Sequence, residues 1–140
     1  MRAVFGPTKA TMRLLVDTHV AMWAVNSVQR LPPKAIALLE DEANEVFVSI
    51  LSVWEIAIKR PLRRSDPPPM SAAAAMEEFG AAGFAFVPIT GDHAIQVEAL
   101  PLHHRDPFDR LLVAQALTEG MRLVTHDRQL AVYGDFVLTF

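Results

Sequence analysis

The sequence feature that most constrains the fold is a series of short apolar runs separated by longer amphipathic segments. The runs predict five β-strands, at residues 13–17, 45–49, 84–89, 122–127 and 136–140. The segments predict helices, at residues 19–25, 31–43, 49–60, 70–83 and 91–100 and in the part of 103–120 that ends at Gly120. Strands that alternate with helices indicate βαβ units and a parallel sheet covered on both faces. We therefore expect an α/β fold of three layers, with a central parallel sheet of about five strands flanked by helices.

The length and composition fit a single domain. The chain has 140 residues, of which 51% are hydrophobic and 21% charged, and this is enough to bury a substantial core. Residues 1–11 lack periodicity and contain a Gly-Pro breaker, so we predict a flexible extension there and a domain at 12–140.

Several classes of protein are disfavoured by what the sequence lacks. There is no cysteine, which excludes disulfides and thiolate metal sites and fits a reducing cytosol. No apolar run approaches the roughly 18 residues that span a bilayer, and the N-terminus lacks the pattern of a signal peptide. We predict a cytoplasmic protein with no membrane partner.

Five acidic residues occupy equivalent places in the predicted sheet. Asp17 ends the first strand, Asp127 ends the fourth, and Glu55 lies on the helix after the second strand. Asp106 and Asp109 open the helix that precedes the fourth strand. Functional groups of an open parallel sheet gather beyond the carboxyl ends of its strands, where the strand order reverses. We therefore predict that these acids converge on one pocket.

Such a pocket predicts a hard divalent cation. Neighbouring carboxylates repel one another and stay ionised together only if a cation compensates them. Oxygen ligands without cysteine favour Mg²⁺ or Mn²⁺, which suit phosphoryl chemistry because they activate water and stabilise a leaving oxygen. The net charge of −3 argues weakly against a general nucleic-acid binder. Setting these five of the 16 acids aside, however, leaves fewer acids than the 13 lysines and arginines.

Each acid also has a purely structural interpretation. Asp17 and Asp127 could be helix N-caps, a common use of aspartate. Glu55 could form a surface ion pair with Lys59, four residues later. In "RDPFDR", Asp106 before a proline is a strong N-cap, so we assign Asp106 mainly to capping and Asp109 to the metal.

Other polar residues and the tryptophans carry weaker signals. The histidines at 19, 103, 104 and 126 could bind zinc, but neither an HExxH pattern nor a cysteine partner accompanies them. We expect them to hydrogen-bond near the site or to face solvent. The densest basic group is either a solvated loop or a contact for a phosphate backbone, and it comprises Lys59, Arg60, Arg63 and Arg64. Trp23 and Trp54 are predicted to lie in the core.

Four segments of the sequence resemble a known family. They are "LLVDTHVAMWAV", "SILSVWEIAIKR", "HHRDPFDRLLVAQALTEG" and "RLVTHDRQL". These resemble the PIN-domain ribonucleases, especially the VapC-type toxins of bacterial type II toxin–antitoxin systems, over about residues 13–140. One departure is the loop "RPLRRSDPPP", which lacks the glycine that the family commonly has after "WEIAIK".

The resemblance implies a catalytic site, a reaction and partners. Asp17, Glu55, Asp109 and Asp127 would form an acidic quartet around Mg²⁺, for which Mn²⁺ could substitute, with Asp17 and Asp109 as direct ligands. The polar neighbours of this quartet would be Thr18, Ser52, Asp106 and Thr125. The implied reaction is endonucleolytic hydrolysis of RNA by a metal-activated water. The implied partners are a second copy of the chain, as a homodimer, and a VapB-like antitoxin whose C-terminal segment covers the pocket.

Two other functions are compatible with parts of the pattern. A catalytically silent protein could bind antitoxin or RNA through the same pocket without cleavage. A phosphotransfer domain of the receiver or haloacid-dehalogenase kind also places an aspartate at a strand end. These domains need a lysine near the later strands or a second aspartate two residues after the first, where this chain has His19. We therefore rank the phosphotransfer function last.

Overall fold

The structure, a computed structural model, describes residues 11–62 and 64–140 of the protein. The predicted extension at 1–11 therefore lies, apart from Thr11, outside the described residues, and so does Arg63. Among the described residues, no helix is both long and apolar enough to cross a membrane.

The centre of the fold is a five-stranded sheet in which every pairing is parallel. The strands are β1 (Arg13–Val16), β2 (Glu45–Ser49), β3 (Ala85–Val87), β4 (Arg122–Thr125) and β5 (Val137–Thr139), in the order β3-β2-β1-β4-β5. Leu15 of β1 is paired with Phe47 on one side and Leu123 on the other. The strand order reverses beside β1, so the carboxyl ends of β1 and β4 form the switch point of the sheet.

Within residues 11–62 and 64–140, six helices cover the two faces of the sheet. They are α1 (Thr18–Asn26), α2 (Pro33–Glu40), α3 (Ile50–Lys59), α4 (Ala72–Ala81), α5 (Gly91–Ala99) and α6 (Pro107–Glu119), with 3₁₀ turns at Val28–Arg30, Arg60–Leu62 and Arg128–Tyr133. Alternate residues of β1 enter different cores, since Leu14 and Val16 pack with α1, α2 and α4, whereas Leu15 packs with α6. The predicted three-layer α/β fold is confirmed.

Helix ends follow the signals in the sequence. Side chains of the preceding residues accept backbone N–H groups of α1, α3, α4, α5 and α6, and these caps are Asp17, Ser49, Ser71, Thr90 and Asp106. Such caps each stabilise a helix by about 1 kcal/mol. Gly120 ends α6 with a φ of +67°, a conformation that glycine adopts without strain. Asp17 and Asp106 thus fix where α1 and α6 begin, and both ends border the site described next.

The two tryptophans differ from one another. Trp23 is partly buried against the core, as predicted. Trp54 is 53% exposed and its ring centre lies 5.4 Å from that of Phe108, so the prediction of a core position is wrong for this residue. The inward face of α3 is formed by Leu51, Ser52, Glu55 and Ile56, which leaves position 54 on the outer side.

Candidate active site

One open cavity of about 450 Å³ lies at the carboxyl ends of β1 and β4. All five acids considered in the sequence analysis line it: Asp17, Glu55, Asp106, Asp109 and Asp127. Two basic side chains also line it, Lys59 and Arg128. The structure therefore brings together side chains that are up to 110 positions apart in the sequence, at the place where the strand order reverses.

Asp17 is fixed by both of its carboxylate oxygens. Its backbone N–H donates to the Val124 carbonyl at 3.0 Å, which continues the pairing of β1 with β4. Oδ1 accepts the N–H of Val20 at 2.8 Å, and Oδ2 accepts the hydroxyl of Thr125. The residue is only 5% exposed. Capping and membership of the acidic cavity, which the sequence left as alternatives, are thus combined in one side chain.

Glu55 is buried as well, within a network of two hydroxyls and an ammonium group. The Thr18 oxygen lies 2.7 Å from Oε1 of Glu55 and 2.8 Å from Oγ of Ser52. Because a hydroxyl has one proton and a carboxylate only accepts, we assign Thr18 as donor to Glu55 and Ser52 as donor to Thr18. Oε2 pairs with Lys59. The ion pair considered from the sequence therefore exists, but its carboxylate is inside the site.

Thr125 connects Asp17 to Asp127. Its hydroxyl donates to Asp17 and accepts the backbone N–H of Asp127 at 3.0 Å. Asp127 in turn caps the turn Arg128–Tyr133, accepting the N–H of Gln129 at 3.0 Å. Thr18 and Thr125 thus contact acids of the quartet directly, whereas Ser52 is linked to Glu55 only through Thr18.

Asp109 is restrained by a hydrogen bond at the start of its own helix and by a contact with the loop before that helix. Asp106 caps α6, accepting the N–H groups of Phe108 at 2.8 Å and Asp109 at 3.4 Å. His104 approaches from the loop, with Nε2 at 2.9 Å from Oδ2 of Asp109 and 3.8 Å from Oδ2 of Asp127. The potential ligand atoms of these three residues, His104 and the two aspartates, all lie within 4.8 Å of one another.

Comparisons with known proteins identify the family. The sequence model of the PIN domain family matches residues 14–135 of the chain. The chain belongs to the PIN-domain family. It is 36% identical over 120 residues to Ribonuclease VapC22 of Mycobacterium tuberculosis, an alignment that covers 84% of this chain and 88% of the relative. The resemblance stated from the sequence is thereby confirmed.

Solved structures show the same fold at low sequence identity. VapBC2 from Rickettsia felis, bound to a promoter DNA fragment, superposes with a TM-score of 0.63 at 13% identity, covering 92% of this chain and 98% of that one. A toxin–antitoxin complex from Klebsiella pneumoniae gives 0.61 at 17% identity, covering 90% and 96%. These likenesses support the PIN fold.

The electrostatics of the PIN domain's cavity favour a cation. Burial raises the pKa of the Asp109 carboxyl to about 6, and the negative charge of Asp106 adds to this, while the hydrogen bond from His104 opposes it. The hydrogen bond to Asp17, whose Oδ2 lies 3.5 Å from Nδ1 of His126, raises the pKa of that histidine above its usual value. The shift of His126, and the part of the Asp109 shift that comes from Asp106, reflect the negative charge of neighbouring carboxylates. Carboxylate oxygens with imidazoles nearby suit a hard or borderline divalent ion.

A groove lies next to the cavity of the PIN domain and is continuous with it. It holds about 250 Å³ between α1, α3 and the loop 64–69, and its lining shares Thr18, His19, Glu55 and Lys59 with the cavity. The guanidinium of Arg30 lies 4.7 Å from the ring centre of Trp23 in this groove. The groove is therefore lined by basic side chains, next to the acids of the cavity.

The basic residues predicted to contact a phosphate backbone are divided by the structure. Lys59 lines both the cavity and the groove, and Arg64 lines the groove. Arg60 lies at a separate depression with Pro61 and Ser71. Sequence reasoning missed Arg30 and Arg128, because each is a lone basic residue outside any charged run.

Proposed function

We propose that this PIN domain is a metal-dependent endoribonuclease that acts as the toxin of a type II toxin–antitoxin system. The observation that carries the proposal is the convergence of five acids on a single open cavity at the switch point of the sheet. The relationship to a protein named Ribonuclease VapC22 supports RNA as the substrate. The neighbours named VapBC2 and toxin–antitoxin complex support the biological context.

The metal centre would be formed by the quartet Asp17, Glu55, Asp109 and Asp127, with Mg²⁺ as the ion and Mn²⁺ as a substitute. Asp17 and Asp109 would be direct ligands, and Glu55 and Asp127 would act directly or through water. When bound, the ion supplies a water activated as a nucleophile and stabilises the leaving oxygen of the phosphodiester. The four carboxylates fit a divalent cation, because carboxylates crowded in a partly buried cavity need a compensating positive charge.

The uncharged neighbours would keep the carboxylates in a fixed arrangement. Thr125 restrains Asp17, and Thr18, itself bonded to Ser52, restrains Glu55. Lys59 holds the other oxygen of Glu55 and offers a positive charge at the entrance to the groove. Catalytic groups that are held in place before substrate binds need little reorganisation during the reaction.

The groove beside the cavity would carry the RNA strand. Lys59 and Arg64 line it and suit contacts to backbone phosphates, and Arg30 adds a third positive charge against Trp23. The acids of the cavity would repel a bare phosphate, so the scissile phosphate would enter only with the divalent ion in place. Arg60 lies at a separate depression and is not assigned to this path.

Two protein partners belong to the proposal. A cognate VapB-like antitoxin would cover the cavity with its C-terminal segment, and the toxin would be a homodimer in the cytoplasm. The named VapBC complexes among the structural neighbours support the first of these. The alternative of a catalytically silent protein predicts the same partners but no cleavage.

Expression of the protein without an antitoxin tests the function. We expect growth arrest by the wild type and normal growth with Asp17→Asn or Glu55→Gln, because each change removes a carboxylate of the quartet while keeping its shape. Glu77→Gln, an exposed acid on α4, is the matched control and should remain toxic. Continued toxicity of both quartet variants, shown to be folded by circular dichroism, would contradict a catalytic role for these acids.

A further inference from the structure

His104 occupies a position that the acidic quartet does not explain. Its Nε2 atom lies between two members of the quartet, 2.9 Å from Oδ2 of Asp109 and 3.8 Å from Oδ2 of Asp127. In contrast, both oxygens of Glu55 are engaged with Thr18 and Lys59. Among the described residues, the group of three potential ligand atoms that all lie within 4.8 Å of one another includes a histidine.

One of the two distances from His104 matches an edge of a coordination octahedron. Ligands about 2.1 Å from an ion are separated by about 3.0 Å when adjacent and about 4.2 Å when opposite. The separation of His104 and Asp109 is that of adjacent ligands, and the 3.8 Å to Asp127 lies between the two limits. Small side-chain rotations would therefore place all three atoms around one ion.

The loop that carries His104 is fixed by contacts that do not involve the acids. The backbone N–H of His104 donates to the Tyr133 hydroxyl at 3.1 Å, and Arg110 donates to the same hydroxyl at 3.2 Å. Arg110 also bonds the carbonyls of Val97 and Pro101, both at 3.0 Å. The histidine thus approaches two acids of the cavity from a backbone held by hydrogen bonds, as a metal ligand must if the site is to be preorganised.

We propose that Nε2 of His104 is a ligand of the divalent ion, together with the carboxylates of Asp109 and Asp127. This rests on the metal centre of the proposed function and adds a nitrogen ligand to it. Mg²⁺ prefers oxygen ligands more strictly than Mn²⁺ does, so a nitrogen ligand from His104 raises the affinity for Mn²⁺ relative to the affinity for Mg²⁺. If His104 instead only donates a hydrogen bond to Asp109, it orients the carboxylate and leaves the preference between the ions unchanged.

Pulsed electron paramagnetic resonance of the Mn²⁺-loaded full chain separates the two roles, without RNA. We expect ¹⁴N modulation from a directly bound nitrogen in the wild type, and its loss in His104→Ala and His104→Gln. The adjacent His103→Ala is the matched control and keeps the signal, since the His103 ring packs against Tyr133. Titration should show Mn²⁺ affinity lowered about 10-fold or more in the His104 variants, with a smaller loss for Mg²⁺.

Three results would overturn the proposal. One is a wild-type Mn²⁺ complex without ¹⁴N modulation, and another is modulation that persists in both His104 variants or disappears instead in His126→Ala. The third is an equal change in affinity for Mn²⁺ and Mg²⁺. Failure here is distinguishable from failure of the proposed function, because Mg²⁺-dependent RNA cleavage by the wild type is measured separately. A chain that binds neither Mn²⁺ nor Mg²⁺ would overturn both.

Discussion

The two halves of the acidic cavity are built differently. In the first half, the side chains of Asp17 and Glu55 are 7% and 9% exposed, and their oxygens bond to a backbone N–H, two threonine hydroxyls and a lysine. In the second half, the side chains of Asp109 and Asp127 are 25% and 31% exposed, and the loop residue His104 is near both.

This difference indicates that the two halves of the cavity contribute differently to stability and to ion binding. The first half is continuous with β1, α3 and β4, so its hydrogen bonds also stabilise the fold. The second half depends on the start of α6 and on loops, and its acids are more exposed to solvent. We therefore expect changes in the first half to affect both stability and activity, and changes in the second half to affect mainly ion binding and pH response.

The largest expected effect is the loss of RNA cleavage when a carboxylate is removed from either half of the cavity. Asp17→Asn and Asp109→Asn should each lower the rate of RNA cleavage by at least about 100-fold, because each removes a carboxylate ligand of the ion. Cleavage of a labelled RNA at saturating Mg²⁺ measures this, with Glu77→Gln as the unaffected control. A loss of only a few-fold in either variant would mean that its half of the cavity is dispensable.

The next effect distinguishes the halves by stability. Thr125→Val keeps the shape of the side chain but removes the hydroxyl that donates to buried Asp17. We expect the free energy of unfolding to fall by about 2 kcal/mol, as for other hydrogen bonds to charged groups. His104→Ala, in the open half, should cost less than about 1 kcal/mol. Urea unfolding in chelator compares them, and equal losses would remove the distinction.

The third effect is a dependence of stability on pH that arises in the open half. The pKa of Asp109 is about 6 in the folded protein and about 4 when unfolded, so the folded state binds the proton more tightly. Without metal, the stability contributed by the protonated form is present below pH 4 and is lost as the pH rises through 6. The change is on the order of 1 kcal/mol after allowance for solvent screening.

Comparison with Asp109→Asn isolates this contribution. The variant cannot titrate at this position, so its unfolding free energy in chelator should lack that component between pH 4 and 7. Parallel pH profiles of the two proteins would show that the carboxyl has an ordinary pKa. With Mg²⁺ present, protonation competes with the ion, so activity should fall at low pH and recover as the Mg²⁺ concentration is raised.

The smallest expected effect concerns the groove. Arg64→Ala should weaken RNA binding a few-fold and reduce the slope of log affinity against log salt by about one, as the loss of a phosphate contact does. Arg60→Ala is the matched control, because Arg60 lines a different depression. Equal losses in the two variants would place the RNA elsewhere on the surface.

The sequence predicted the acids of the site, in both halves, better than the histidine that lies beside them. Asp17 could be located because an apolar strand runs directly into it, and the RDPFDR segment showed both the cap by Asp106 and the start of α6. These signals are local, and the structure retains them because local hydrogen bonds agree with the overall packing. The positions of the five strands were predictable for the same reason.

The sequence indicated that the histidines hydrogen-bond near the site or face solvent, but it could not show that His104 is one of those that approach the acids. The loop before α6 has no periodicity, and the contact depends on Tyr133, which is 29 residues away in the sequence. The exposure of Trp54 was also missed, because a single apolar residue in a largely apolar helix does not reveal which face it occupies. Side-chain positions that depend on long-range packing need the three-dimensional structure.

The most direct test of the metal-dependent nuclease is cleavage of RNA by the purified protein as Mg²⁺ is added, removed by chelator and added again. The account predicts cleavage that appears with Mg²⁺ or Mn²⁺, stops with chelator, returns when the ion is restored, and is absent from Asp17→Asn throughout. Cleavage that continues in excess chelator, or that survives in folded Asp17→Asn, would contradict it.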